Sequence, residues 1–480
     1  MTWMQPTAIA DDLARTLAGG EPRTASTTSI TGSDPIGPSV HRLADSAAAA
    51  IVAFGREVAA ADEDRGAPPQ QVTTTAAGAF DQLRAPFLAT VNGVRPHLLS
   101  DDPGLLGLND FYPARNGWTF LLSTYPHLRE AVCAVLDCPP TAAAITAATR
   151  RWSALELEGA VVRAGGVAAA VRTEQEWRAH PVGAHLAGRP VVEVTRIADA
   201  EPRPLPPRRD TADWSPLAGL RVLDDTHVIA GPVAARLLAT FGAEVLHTSR
   251  PDRGDSIGML ALTGGGKRNA YLDLRDPGQA AAFDALAGES DVFVSAYRGL
   301  ERRGFGAAEL AERHPGIVAT EVHCWGPDGP WAARGGFDQL ACAATGFALD
   351  EGAVRDLAAG RGPSGAPALP PTHLLNDYLA AYLAAAGIVA AVRRRAVEGG
   401  SWRVRVNLAR VCTWVRELGR FDAADVAVLP LPEPAIGLST RTGPLGTSVE
   451  PASPLGFSAH PTPQAGPATL LGTAAPAFTA

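Results

Sequence analysis

From residue 217 onward the sequence alternates short β-prone runs with helical ones, and this rhythm constrains the fold more than any other feature. Residues 220–224, 243–247, 270–274, 292–295 and 317–322 read as strands. Residues 232–241 and 277–287 read as intervening helices, the second begun by Asp276 as its cap. Strands joined through helices at this spacing predict an α/β fold, a doubly wound (Rossmann-like) parallel sheet. At 480 residues, 46% of them hydrophobic, the chain can bury a large core and divide into several units.

The remaining units follow from composition. Residues 1–30 are polar and poor in large apolar side chains, which predicts a flexible, frayed leader. A second, smaller α+β domain is expected over 85–200, with a strand at 118–122 after the Asn116-Gly117 turn and helices at 127–137, 141–148 and 153–164. Pro202, Pro204, Pro206 and Pro207 mark a linker over 201–215, and the large domain covers 216–420. Residues 421–480, rich in Pro, Gly, Ser and Thr, read as an extended strap whose last part is disordered.

One pattern occurs twice. His373 is followed four residues later by Asp377, then by an apolar run and Gly387; His41 is followed in the same way by Asp45, an Ala-rich run and Gly55. Each helix leads through a charged turn to a β-prone stretch, 72–75 in one copy and 403–408 in the other. Residues 31–84 therefore read as a partial repeat of an Asp-helix-strand unit. A carboxylate opening a helix is either an N-cap or, held ionised by backbone N–H groups and the helix dipole, a nucleophile.

A net charge of −8 argues against a nucleic-acid partner. The longest apolar stretch, 378–392, is too short to span a bilayer, and the N-terminus lacks a secretory pattern, so no membrane association and a cytoplasmic address are expected. Five cysteines, odd in number and without close zinc-type pairs, predict reduced thiols and no metal site.

The turn 226–232 lacks G-x-G-x-x-G, which removes the encoded approach of backbone to a dinucleotide pyrophosphate. Thr263-Gly264-Gly265-Gly266-Lys267-Arg268 has no Ser or Thr after the lysine to hold magnesium, so it is no phosphate loop. Arg250, Lys267, Arg268, Arg275, Arg298 and Arg302 instead fall at predicted strand ends, where they would form a basic mouth for a phosphorylated nucleotide.

Taken together, residues 216–224, 227–232, 266–268, 272–275, 326–331 and 336–338, with the Asp377 helix and Gly399-Gly400-Ser401, resemble the class III CoA-transferases, with the smaller domain placed before the large one. The resemblance implies that Asp377 is the nucleophile. It would form an aspartyl mixed anhydride and then an aspartyl-CoA thioester before CoA passes from an acyl-CoA donor to a carboxylic acid acceptor. It implies that His227, Val228, Ala230, Arg250, Lys267, Leu274, Arg275, Ala296, Tyr297 and Arg302 line the CoA site. It also implies a homodimer and no permanently bound cofactor, CoA being part of the substrate. Asp45, without a nucleotide-binding half of its own, reads as a helix cap.

Two alternatives stand beside this. A 2-methylacyl-CoA racemase of the same fold family would need a proton-carrying His where this chain has Phe337. A CoA-binding protein without catalysis would keep the binding residues and lack turnover.

Overall fold

The computed structural model describes residues 3–99, 103–208 and 214–479. Residues 209–213 of the predicted linker lie outside the described residues. Within the expected leader, Pro6–Ala18 forms helix α1 and Thr27–Thr31 forms strand β1. The frayed leader is therefore corrected. Ile9, Leu13 and Leu17 recur at helical spacing and are buried, and this apolar stripe packs α1 against helix α2, Leu43–Glu63. Strand β2, Gln71–Thr75, pairs parallel with β1.

The region expected as a smaller domain holds a three-stranded antiparallel sheet, Asp110–Ala114, Gly117–Leu121 and Ala168–Ala170, covered by helices that include α3, Pro126–Leu136. Strand β3, Glu193–Ala198, leads out of it.

The region expected as the large domain follows with β4 (Arg221–Asp225), α4 (Ala230–Thr240), β5 (Glu244–Ser249), β6 (Arg268–Tyr271), β7 (Val292–Ser295) and β8 (Val318–His323), then α5 (Asp338–Ala344), α6 (Asn376–Glu398) and β9 (Ser401–Asn407). These strands form one sheet in the order β6-β5-β4-β7-β8-β9-β3, parallel throughout except for β3. Alternate side chains serve opposite faces. Val222, Val245 and Val294 enter the main core with α2, α4 and α6, whereas Leu223, Leu246 and Phe293 join Phe283, Leu286 and Leu310 on the other face. The fold is mixed α/β with a mainly parallel sheet.

The two copies of the Asp-helix-strand unit fold alike. β1-α2-β2 and β8-α6-β9 each place two parallel strands around a long helix, and each second strand gains an antiparallel neighbour. For β9 the neighbour is β3, with Val404 opposite Val194; for β2 it is β10, Gly456–Phe457, with Val72 opposite Phe457. The repeated glycines share one cause. A Cβ on Gly387 would sit 2.6 Å from Val404 Cγ1, and one on Gly55 would sit 2.7 Å from Val72 Cγ1. The helices α2 and α6 also pack against each other.

The C-terminal segment runs along the outer edge of β6. Gly265 bridges to Ala468, Ala474 donates its N–H to the Asn269 carbonyl, and Phe478 is buried in the second core. Its last part is thus held in place, contrary to the disorder expected from composition, because an edge strand offers unpaired backbone groups that a passing segment can satisfy.

Candidate active site

Asp377 is the second residue of α6 and is 7% exposed. It does not cap the helix, which corrects the N-cap alternative. The capping comes from another element: Asp338, at the start of α5, accepts the N–H groups of Leu375 at 3.0 Å and Asp377 at 2.8 Å through Oδ2. Asn376 adds its side-chain amide to the Asp338 carbonyl at 3.1 Å and to Oδ1 at 3.2 Å. The Asp377 carboxylate itself accepts no hydrogen bond from any described residue.

This division decides the electrostatics. Burial, with the charge of Asp338 added, pushes Asp377 well above the usual carboxylate range. Burial raises Asp338 too, but its three N–H donors favour its anion, so Asp377 is the member of the pair that holds a proton more tightly. The expectation that N–H bonds would keep Asp377 ionised is corrected, because those bonds go to Asp338.

The second copy repeats the device with a different outcome. Asp34 Oδ2 accepts the Asp45 N–H at 2.9 Å, as Asp338 does for Asp377. Asp45, however, is closed off by Arg42, whose Nε lies 2.8 Å from Oδ2, where the other copy has Leu374. Asp45 is an ion-paired residue, and α2 has no side-chain cap, which corrects the cap reading.

The residues expected to line a CoA site gather at the C-terminal ends of β4, β5 and β7. His227 stacks on Tyr297, with ring centroids 4.5 Å apart and planes 7° from parallel. Val228 has φ +70°, a left-handed conformation costly for a β-branched residue, and its N–H donates to Asp255 Oδ2 at 2.9 Å. Ala230 is buried at the start of α4. Ala296 follows β7 half-buried, and Leu274 packs against the same apolar layer as Tyr297.

The basic residues divide. Arg250 is held bidentately by Asp252 at 3.0 and 2.6 Å, and Arg275 pairs with Asp273 while lying 3.6 Å from Asp252. Arg268 pairs with Glu244, and Arg298 donates to the Ala333 carbonyl. Arg302 is exposed and has no ion pair among the described residues. Lys267 does not belong to this mouth. It is 3% exposed, with Nζ 2.7 Å from Asp224 Oδ2, because a buried ammonium must be paired. Burial opposes the charge of Asp224, yet the Lys267 ammonium and the His247 Nδ1 contact at 3.1 Å hold it far below the usual range.

Three contributors were not found from the sequence. Asp338 belongs to the family-like segment 336–338, where the sequence gives it no role of its own, whereas Asp255 and Tyr125 carry no motif. Tyr125, just before α3, stacks on Phe337 with centroids 6.0 Å apart, and so brings the smaller domain against the residue preceding Asp338. Among the described residues no group of His, Cys, Asp and Glu could hold a metal ion.

Residues 217–423 match the family described as CoA-transferase family III. An acyl-CoA transferase of Gibberella moniliformis is 34% identical over 269 residues, covering 54% of this chain and 46% of that protein. The succinyl-CoA–L-malate CoA-transferase beta subunit of Chloroflexus aurantiacus is 33% identical, covering 39% of this chain and 48% of its own length. The crystal structure of a hypothetical protein (Rv3272) from Mycobacterium tuberculosis is 27% identical, covers 43% of this chain and 57% of that one, and gives a TM-score of 0.38. The chain spans about half the length of the curated relatives it matches. Over residues 217–423, somewhat under half of its length, this chain is similar to CoA-transferase family III.

Proposed function

We propose that the protein moves CoA from an acyl-CoA donor to a carboxylic acid acceptor through an aspartyl-CoA thioester on Asp377. The observation that carries this reading is the contrast between two otherwise equivalent aspartates: Asp45 is neutralised by Arg42, whereas Asp377 is buried, backbone-anchored and its carboxylate has no hydrogen-bond or ion-pair partner among the described residues. Such a carboxylate is fixed in position and weakly solvated, which favours attack on a thioester once it ionises.

In this mechanism an Asp377 oxygen bonds to the thioester carbonyl carbon and the C–S bond breaks, its electron pair leaving on the CoA thiolate. The thiolate then attacks the aspartyl carbonyl of the mixed anhydride, releasing the donor acid and leaving the aspartyl-CoA thioester. The acceptor carboxylate reverses the sequence. His227, Val228, Ala230, Arg250, Leu274, Arg275, Ala296, Tyr297 and Arg302 would hold CoA, with phosphates displacing Asp252 from the two guanidiniums it now engages. The strand order and the helical cores on both faces support a doubly wound domain, in which ligands bind beyond the carboxyl ends of the strands.

The same reading includes a homodimer, on the strength of the resemblance. No helix among the described residues is long and apolar enough to cross a membrane. The test is to incubate the protein with a panel of acyl-CoAs, quench with hydroxylamine and examine the Asp377 peptide by mass spectrometry. A hydroxamate at Asp377 is expected, and an unmodified peptide across the panel would sink the reading.

A further inference from the structure

We propose that Tyr125, contributed by the smaller domain, is a further catalytic residue whose hydroxyl donates a hydrogen bond to the thioester carbonyl oxygen as Asp377 attacks. The proposal rests on Asp377 being the nucleophile.

Three contacts locate Tyr125. On one side its ring stacks on Phe337, and the next residue, Asp338, anchors the Asp377 N–H at 2.8 Å. On the other side, His127 lies 3.2 Å from Arg253 in the loop whose Asp255 carboxylate accepts the strained Val228 N–H. The ring is packed against the main core. Tyr125 therefore lies between the Phe337–Asp338 segment that anchors Asp377 and the loop whose Asp255 holds Val228. Consistent with that position, the charges of Asp255 and Asp377 both act on its hydroxyl, and Tyr125 in turn acts on Tyr297.

The hydroxyl is unspent. Tyr112, in the same domain, donates to the Leu108 carbonyl at 3.0 Å, whereas the Tyr125 hydroxyl has no hydrogen-bond partner among the described residues. Tyr125 is half-buried, and a phenol that has no protein acceptor near a nucleophile points to a ligand oxygen as its acceptor. Burial, reinforced by the two carboxylates, holds the phenol proton far above neutral pH, which makes Tyr125 a donor and never an anion there.

In the step, the new Asp377 O–C bond forms while the carbonyl oxygen takes up the negative charge, and the C–S bond then breaks with its electron pair leaving on the CoA thiolate. Tyr125 keeps its proton throughout. The hydrogen bond strengthens only as charge develops on that oxygen, so its loss falls on the rate and spares binding.

Tyr125→Phe tests this, since it keeps the ring and its stack on Phe337. Wild type and variant are mixed with succinyl-CoA or acetyl-CoA, hydroxamate formation at Asp377 is followed with time, and melting temperatures are compared. The expected result is an intact fold, half-saturation in acyl-CoA within about three-fold of wild type, and labelling slowed by about 10²-fold or more. Labelling of the variant at the wild-type rate, or a change confined to half-saturation, overturns the proposal while leaving Asp377 as nucleophile. Absence of labelling in the wild type overturns the nucleophile and this proposal together.

Discussion

The carboxylate of Asp338 accepts the backbone N–H of Asp377 at 2.8 Å, so the donors that would have stabilised a charge on Asp377 serve its neighbour. The nucleophile candidate is positioned by one acid, and burial together with the charge of that acid makes it reluctant to ionise.

Replacing Asp338 with Asn retains one carbonyl acceptor and removes the charge. The groups facing Asp377 are then Tyr125, Cys324 and Tyr378, all uncharged at neutral pH. Because the Asp338 charge raises Asp377, its removal lowers Asp377. The acid limb of the pH–rate profile should therefore move to lower pH in Asp338→Asn. A limb that stays in place would separate Asp338 from the titration.

Asp377→Ala should reduce CoA transfer by at least about 10³-fold, measured as turnover with any donor and acceptor pair the wild type accepts. Asp45→Ala should spare turnover per folded molecule. It leaves Arg42 buried and unpaired, so a stability loss of about 3–5 kcal/mol is expected in chemical denaturation.

Glu351 is buried with Ser39 as its hydrogen-bond donor at 2.6 Å, and burial pushes it up to about 8. Its folded value lies above its unfolded one, so the folded state binds the extra proton, and stability is lost as pH rises from the ordinary glutamate range through 8. Neighbouring His41, held down to about 4 by burial, acts in the opposite sense only below about pH 6.5. Between pH 6.5 and 8.5 the melting temperature should fall more in the wild type than in Glu351→Gln.

Gly387→Ala and Gly55→Ala should each destabilise by about 1–3 kcal/mol, because in both copies the new methyl meets a valine on the following strand at under 3 Å. Equal tolerance of alanine would remove the close helix–strand approach as the reason for the repeated glycine.

Periodicity and turn residues made the alternating strands, the Asp276 cap and the twofold Asp-helix pattern legible, because each depends on neighbours within a few positions. Composition misled at the ends: few apolar residues in 6–18 still make a helix, since three of them share one face and α2 is there to cover it. The basic mouth was only partly legible. A lysine beside a glycine-rich turn looks free in sequence, and only the β4–β5–β6 packing shows that Lys267 is buried against Asp224.

The sequence by itself determined the α/β rhythm, the family motifs and the two matching aspartates. Part of what distinguishes those aspartates is local, since Arg42 closes a salt bridge on Asp45 three residues on where the other copy has Leu374. That Asp377 is instead held beside Asp338, with Tyr125 stacked on the neighbouring Phe337, depends on segments tens to hundreds of residues away. Local propensity cannot encode such contacts, because charge and burial at a site are properties of everything packed around it.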